Sequence, residues 1–203
     1  SGRADNAFRV NWNKNADASG YIIEQYSNGS WNRIARIGNG STTTYRIENL
    51  KAGTNYQFRI KAFGFKGAEA VYGKYVSISG KTNPASVSGL KIGGTAKDAL
   101  RLNWNTVSGA EGYIIEKYEA NTWKRIARLE GGKTGTYRAE GLKAGTNYQF
   151  RVRAFGFDGN TAIYSEYKNI SGKTDAAAPT VTIGNMSGVK IGGRADNALR
   201  LNW

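Results

Sequence analysis

Apolar and polar residues alternate with a period of two along most of this chain. In NYQFRIKAF, Tyr56, Phe58, Ile60 and Ala62 fall on one side, with Gln57, Arg59 and Lys61 on the other. In AFRVNW, Phe8, Val10 and Trp12 likewise stand against Arg9 and Asn11. Such alternation predicts strands with one buried face. The turn-forming stretches SNGS from Ser27, GNGS from Gly38, KAGTN from Lys51 and GFKG from Gly64 punctuate them. Seven short strands at that spacing predict an antiparallel two-sheet sandwich. No stretch sustains a helical period. Composition agrees: 27 glycines against 2 prolines suit a turn-rich β protein.

The pattern also repeats. LKAGTNYQF at Leu50–Phe58 recurs unchanged at Leu142–Phe150, a shift of 92 residues. The same shift carries Trp12 to Trp104, Tyr21 of YIIE to Tyr113, Arg33 of RIAR to Arg125, and Ser79 of SGKT to Ser171. A third copy begins with SGVKIGG at Ser187, which echoes SGLKIGG at Ser88 at a shift of 99. The expected division is a first module over 1–82 lacking its first strand, a complete module over 83–174, a linker over 175–186, and two strands of a third module over 187–203. Arg3–Trp12 and Arg194–Trp203 are nearly the same phrase. That points to a window of a longer array, or to head-to-tail assembly in which the strand at Val189, Lys190 and Ile191 completes a neighbouring copy. Of the two connections, Thr82–Ser88 is expected to fix an angle between modules. The longer one, with alternating Val181 and Ile183, is expected to pack at its junction or add a strand.

Each copy resembles a fibronectin type III module of the bacterial secreted or cell-surface kind. The residues that carry the resemblance are Trp12 and Trp104 at the end of the second strand, GYIIE in the third, and LKAGTNYQFRIKAF. The resemblance implies an all-β chain of tandem immunoglobulin-like, seven-stranded antiparallel sandwiches. It also implies that Tyr56 and Tyr148 are corner tyrosines, with rings inside and hydroxyls returned to nearby backbone. No Arg-Gly-Asp occurs, and Arg3-Ala4-Asp5 lacks the glycine.

Charge and chemistry narrow the function. The chain has no cysteine and no histidine, which removes disulfides, thiolate nucleophiles, the usual general base and the commonest transition-metal ligand. No cofactor is expected and no phosphate-binding fingerprint is present. Glu24 and Glu116 are the most tempting carboxylates. Each should face solvent beside the basic sixth strand, which favours a cross-strand ion pair over catalysis. Net charge is +14. Arg33, Arg36, Arg59 and Lys61, with Arg125, Arg128, Arg151 and Arg153, are placed on one sheet as a candidate polyanion-binding stripe. The competing reading is a solvated surface that discourages aggregation. Phe65, Tyr72, Phe157 and Tyr164 are candidate aromatic contacts, against the commoner role of such rings in capping the sandwich ends.

The resulting expectation is a non-catalytic structural array, a stalk or fibre of a large secreted or cell-surface protein. Copies of itself are its expected partners, without specific nucleic-acid readout or membrane embedding. An anionic glycan or wall polymer as ligand, and a spacer appended to a carbohydrate-active enzyme, are the alternatives.

Overall fold

The computed structural model describes residues 2–195 and 198–202, and every regular element among them is a β-strand. In the first module these are β1 (Phe8–Asn11), β2 (Gly20–Ser27), β3 (Ser30–Ile37), β4 (Thr44–Ile47), β5 (Asn55–Lys66), β6 (Glu69–Tyr72) and β7 (Val76–Lys81). β1 and β4 form one sheet. The other has the order β3-β2-β5, with β6 and β7 both paired to β5. The second module repeats this with β9 (Leu100–Asn105), β10 (Gly112–Glu119), β11 (Thr122–Glu130), β12 (Thr136–Ala139), β13 (Asn147–Asp158), β14 (Thr161–Tyr164) and β15 (Lys168–Lys173). It adds a first strand, β8 (Ser88–Thr95), which pairs with β9. All pairings are antiparallel.

The last strand of each sandwich is broken in two, which the alternation did not predict. On β5, Phe63 pairs Tyr72 and Ile60 pairs Val76, so three steps on one strand face four on its partner. The extra residue is a local bulge. In the second module Ser165 patches the gap, its hydroxyl accepting from the Ala154 N–H at 3.0 Å. The hairpin turn between β2 and β3 uses Asn28 and Gly29 at φ 52° and 78°, the left-handed pair that a tight two-residue turn requires.

The second core gathers Val87, Leu100, Leu102, Trp104, Tyr113, Ile115, Phe150 and Val152, all buried. Trp104 lies 5.3 Å from the Tyr113 ring. The first core is smaller: Val10, Ile23, Ile47, Leu50 and Phe58 are buried, while Trp12, Tyr56 and Ile60 are only partly covered. Trp12, on the apolar side of its strand, is thus less covered than Trp104, because among the described residues β1 is laddered to β4 alone while β9 is flanked by both β12 and β8. The corner tyrosines behave as the resemblance implies. Tyr56 and Tyr148 accept from the backbone N–H groups of Lys51 and Lys143, each at 2.7 Å.

The first connection is built into both modules. Thr82 is buried, donates to the Lys51 carbonyl at 2.6 Å and accepts from the Thr54 N–H at 3.0 Å. Asn83 N–H donates to the Ala4 carbonyl, and Gly53 N–H to the Asn83 carbonyl. Pro84 and Val87 are buried, Val87 within the second core. Arg3 of the first module pairs with Asp158 of the second at 2.5 Å.

The second connection begins with the same bonds, Thr174 and Asp175 standing where Thr82 and Asn83 stand in the first, and differs beyond them. Residues 175–189 carry no strand, and Val181 and Ile183 are 81% and 88% exposed. The expected packing or extra strand there is not found, because nothing apolar lies alongside to cover them. The chain closes on a hairpin of β16 (Lys190–Ala195) and β17 (Ala198–Asn202). Trp203 lies outside the described residues.

Candidate functional site

The outer face of the β3-β2-β5-β7 sheet holds most of the residues singled out for function. Ladder register places Arg33, Glu24 and Arg59 in one row across three strands, with Arg36, Ile22 and Lys61 in the next. Arg125, Glu116 and Arg151 form the corresponding row in the second module. The stripe exists as a surface feature, but its members differ in how free they are.

Arg59 directs two donors at one oxygen of Glu24, Nε at 2.7 Å and Nη2 at 2.6 Å. The other carboxylate oxygen accepts from the Tyr75 hydroxyl at 2.7 Å. Arg151, Glu116 and Tyr167 repeat this arrangement. Both guanidinium groups are also sandwiched. Arg59 lies 4.5 Å from the Trp31 ring centre and 3.9 Å from that of Tyr75, while Lys61 continues the stack between Tyr75 and Tyr72. Arg151 and Arg153 repeat the ladder through Trp123, Tyr167 and Tyr164. Contacts of this kind are worth about 0.5–1 kcal/mol at exposed sites and more when desolvated.

Electrostatics follow from that geometry. Burial alone would raise the Glu24 carboxyl, but the Tyr75 hydroxyl and the Arg59 guanidinium outweigh it and hold the carboxyl below its ordinary range. Glu116 is lowered in the same way, through Tyr167 and Arg151 against burial. Tyr167 is pushed up to about 12, first by burial and then by its bond to the Glu116 carboxylate. A carboxylate with both oxygens engaged and its charge form favoured is a poor proton acceptor, so this geometry suits a lock rather than a general base.

The remaining stripe residues are more open. Arg33, Arg36 and Arg125 are exposed, although Arg36 stacks 4.4 Å from the Phe63 ring. Arg128 bonds Glu130 at 2.6 Å and covers Phe155 at 4.0 Å. Of the aromatic candidates, Phe65 and Tyr72 are the most exposed, at 53% and 55%. Phe157 is less so, and Tyr164 is partly covered. Phe65 and Phe157 stand edge-on to Phe63 and Phe155. Val189 is exposed just ahead of β16; Lys190 and Ile191 lie in β16, opposite Asn202 and Leu201.

Sequence reasoning missed Tyr75, Tyr167, Trp31 and Trp123 as parts of the ladder. One signal was present: Tyr75 and Tyr167 agree at a shift of 92, inside a stretch where GKYV and SEYK otherwise differ. It also missed the Arg3–Asp158 tie.

The fold and these sites define tandem immunoglobulin-like sandwiches whose polar outer sheet is knitted together. A family model for the fibronectin type III domain matches residues 1–76 and 85–167. The chain belongs to the fibronectin type III family. A two-domain fibronectin type III segment of chicken tenascin superposes with a TM-score of 0.50 at 20% identity, covering 86% of this chain and 95% of that one. Mouse receptor-type tyrosine-protein phosphatase eta is 31% identical over 62% of this chain and 11% of its own length. Exoglucanase B of Cellulomonas fimi is 20% identical over 96% of this chain and 18% of its own length. Chitinase A1 of Niallia circulans is 25% identical over 90% and 26% respectively. The chain thus spans a quarter or less of most of these curated relatives, and 26% of the last.

Proposed function

We propose that this chain is a non-catalytic structural spacer: two sandwiches held at a fixed angle within the stalk of a larger secreted or cell-surface protein of bacterial type. The observation that carries the reading is the first connection. Pro84 is buried beside Gly156, Val87 lies in the core of the second sandwich, and Arg3–Asp158 crosses the junction at 2.5 Å. Modules joined by a free linker reorient independently, whereas these have their connecting residues inside the packing. Relatives named as an exoglucanase, a chitinase and a receptor carry similar stretches as minor parts of longer chains, which is consistent with a spacer. Among the described residues no helix is long and apolar enough to cross a membrane.

Residual dipolar couplings test this directly. One alignment tensor should fit both sandwiches, and Arg3→Ala with Asn83→Gly should split it into two. Two independent tensors in the unaltered chain would reject the rigid spacer.

A second reading rests on Arg33, Arg36 and Arg125, which have no ion-pair partner among the described residues. They could hold an anionic glycan or wall polymer through salt-sensitive contacts. Binding that weakens steeply with salt and disappears on charge reversal at these positions would support it.

A further inference from the structure

We propose that the junction between the two sandwiches selects its partner by charge. The junction end of the first sandwich takes the Asp158 hairpin of a module of the second kind and turns away the Lys66 hairpin of its own kind. This rests on the rigid-spacer reading and names what decides which module fits.

The first sandwich supplies the seat. The Asp158 carboxylate, at the end of β13, meets Arg3 beside Gly80 on β7. A Cβ at Gly80 would stand 3.5 Å from Arg3, from Asp158 and from the Phe8 ring alike. The Arg3 guanidinium lies 5.7 Å from the centre of that ring, and the Asn83 side chain donates to the Arg3 carbonyl at 3.4 Å. The side chains of Arg3 and Asp158 are 24% and 26% exposed, so their interaction is less screened than that of a fully solvated pair. Arg3, Asn83, Asp158 and Thr161 also border an open cleft of about 340 Å³. A lysine in place of Asp158 would find room there. Its charge, not its size, is what the seat refuses.

The other copy carries different charges at the corresponding positions. AFGF precedes and Gly follows both Lys66 and Asp158, so the backbone is shared and the side chain is what changes. Each ends its strand, Lys66 opposite Glu69 and Asp158 opposite Thr161. Glu69 lies on the strand that Thr161 occupies in the second copy, and so puts no carboxylate where Asp158 has one. At the opposite end of the module, Arg3 is matched by Thr95 and Asn83 by Asp175. Asp175 is held as Asn83 is: its N–H donates to the Ala96 carbonyl as that of Asn83 does to Ala4, and its carbonyl accepts from Gly145 as that of Asn83 does from Gly53. A first sandwich docked on a first would therefore set Lys66 against Arg3. A second docked on a second would set Asp158 beside Asp175. Both like pairings oppose equal charges, whereas the unlike pairing joins opposite ones. Repulsion against the wrong partner is how closely similar surfaces are kept apart.

Residual dipolar couplings of the 203-residue chain and its variants read the junction. The unaltered chain should fit one alignment tensor. D158K should lose that single fit and need two, with amide spectra showing both sandwiches folded. D158K with T161E, which gives the second hairpin the charges of the first, should need two as well. R3E with D158K, which exchanges the signs across the junction, should bring back one. A single tensor kept by D158K, or by D158K with T161E, overturns the charge selection. So does failure of R3E with D158K to restore it. In each of those outcomes the unaltered chain still fits one tensor, and the rigid-spacer reading stands. Two tensors in the unaltered chain reject that reading and this inference together.

Discussion

The two sandwiches are one sequence written twice, yet they bury their cores differently. Leu102, Trp104, Val152 and Ala154 are buried in the second; of their counterparts, Val10 is buried as well, while Trp12, Ile60 and Ala62 remain partly open. β8 accounts for the difference at one edge, since Leu90 and Ile92 pack beside Ile170 on the second core, while its counterpart Ile78 is left bare in the first copy. The junction accounts for it at the end of the module. Ile163 is 5% exposed beside Arg3 and Asn83, whereas Val71 at the same place in the first copy is 45% exposed. Closure of this core is therefore supplied by neighbouring chain as much as by the module's own strands.

The largest expected effect is at the tryptophans. Trp104→Ala should cost about 3–5 kcal/mol in denaturant unfolding of the second sandwich. Trp12→Ala should cost the first sandwich clearly less, because part of that ring already meets solvent. Equal losses would break the comparison.

Next come the locked carboxylates, which should behave alike in both copies. Glu116→Gln, leaving Arg151 without its partner, should cost about 2 kcal/mol, and Glu24→Gln a similar amount. Because the folded carboxyls sit below their ordinary 4.5, their stabilisation is present above that value. It drains away as pH falls through the lowered folded value. An acid unfolding midpoint unchanged by both substitutions would remove the lock from the account.

Ile170→Ser should cost about 2 kcal/mol and Ile78→Ser under about 1 kcal/mol, since only the former packs against a closed core. Tyr167 adds an alkaline counterpart. Its folded value of about 12 lies above the ordinary 10, so its contribution is complete below pH 10 and fades as pH rises towards 12. Tyr167→Phe should flatten stability across that window, as followed by thermal melting.

The smallest effect is at the turns. Ala120 and Asn121 adopt φ 50° and 60° where the first copy has Asn28 and Gly29. Alanine is poorly suited to that conformation, so Ala120→Asn should stabilise the second sandwich by up to about 1 kcal/mol.

Much of this was legible in the alternation. The strands and the Glu24–Arg59 pair follow from period two and from which strands lie adjacent, the repeat from identical phrases 92 residues apart, and the corner tyrosines from the family resemblance. The Tyr75 and Tyr167 rungs did not, because the break before β7 and β15 sets those rings against the outer face out of step with simple alternation. Arg3–Asp158 was hidden for a different reason: it depends on how one folded module docks on another, which no local pattern encodes. The exposed Val181 and Ile183 show the converse, since an alternating pair predicts a strand only where a partner exists to cover it.

Native-state hydrogen exchange of the 203-residue chain at high dilution tests the difference between the two copies most directly. The amides of β9 between Leu100 and Asn105 should open only with global unfolding of the second sandwich. Those of β1 between Phe8 and Asn11 should exchange orders of magnitude faster, because β1 is laddered only to β4 along most of its length. Equal protection of β1 and β9 under those conditions would contradict the account.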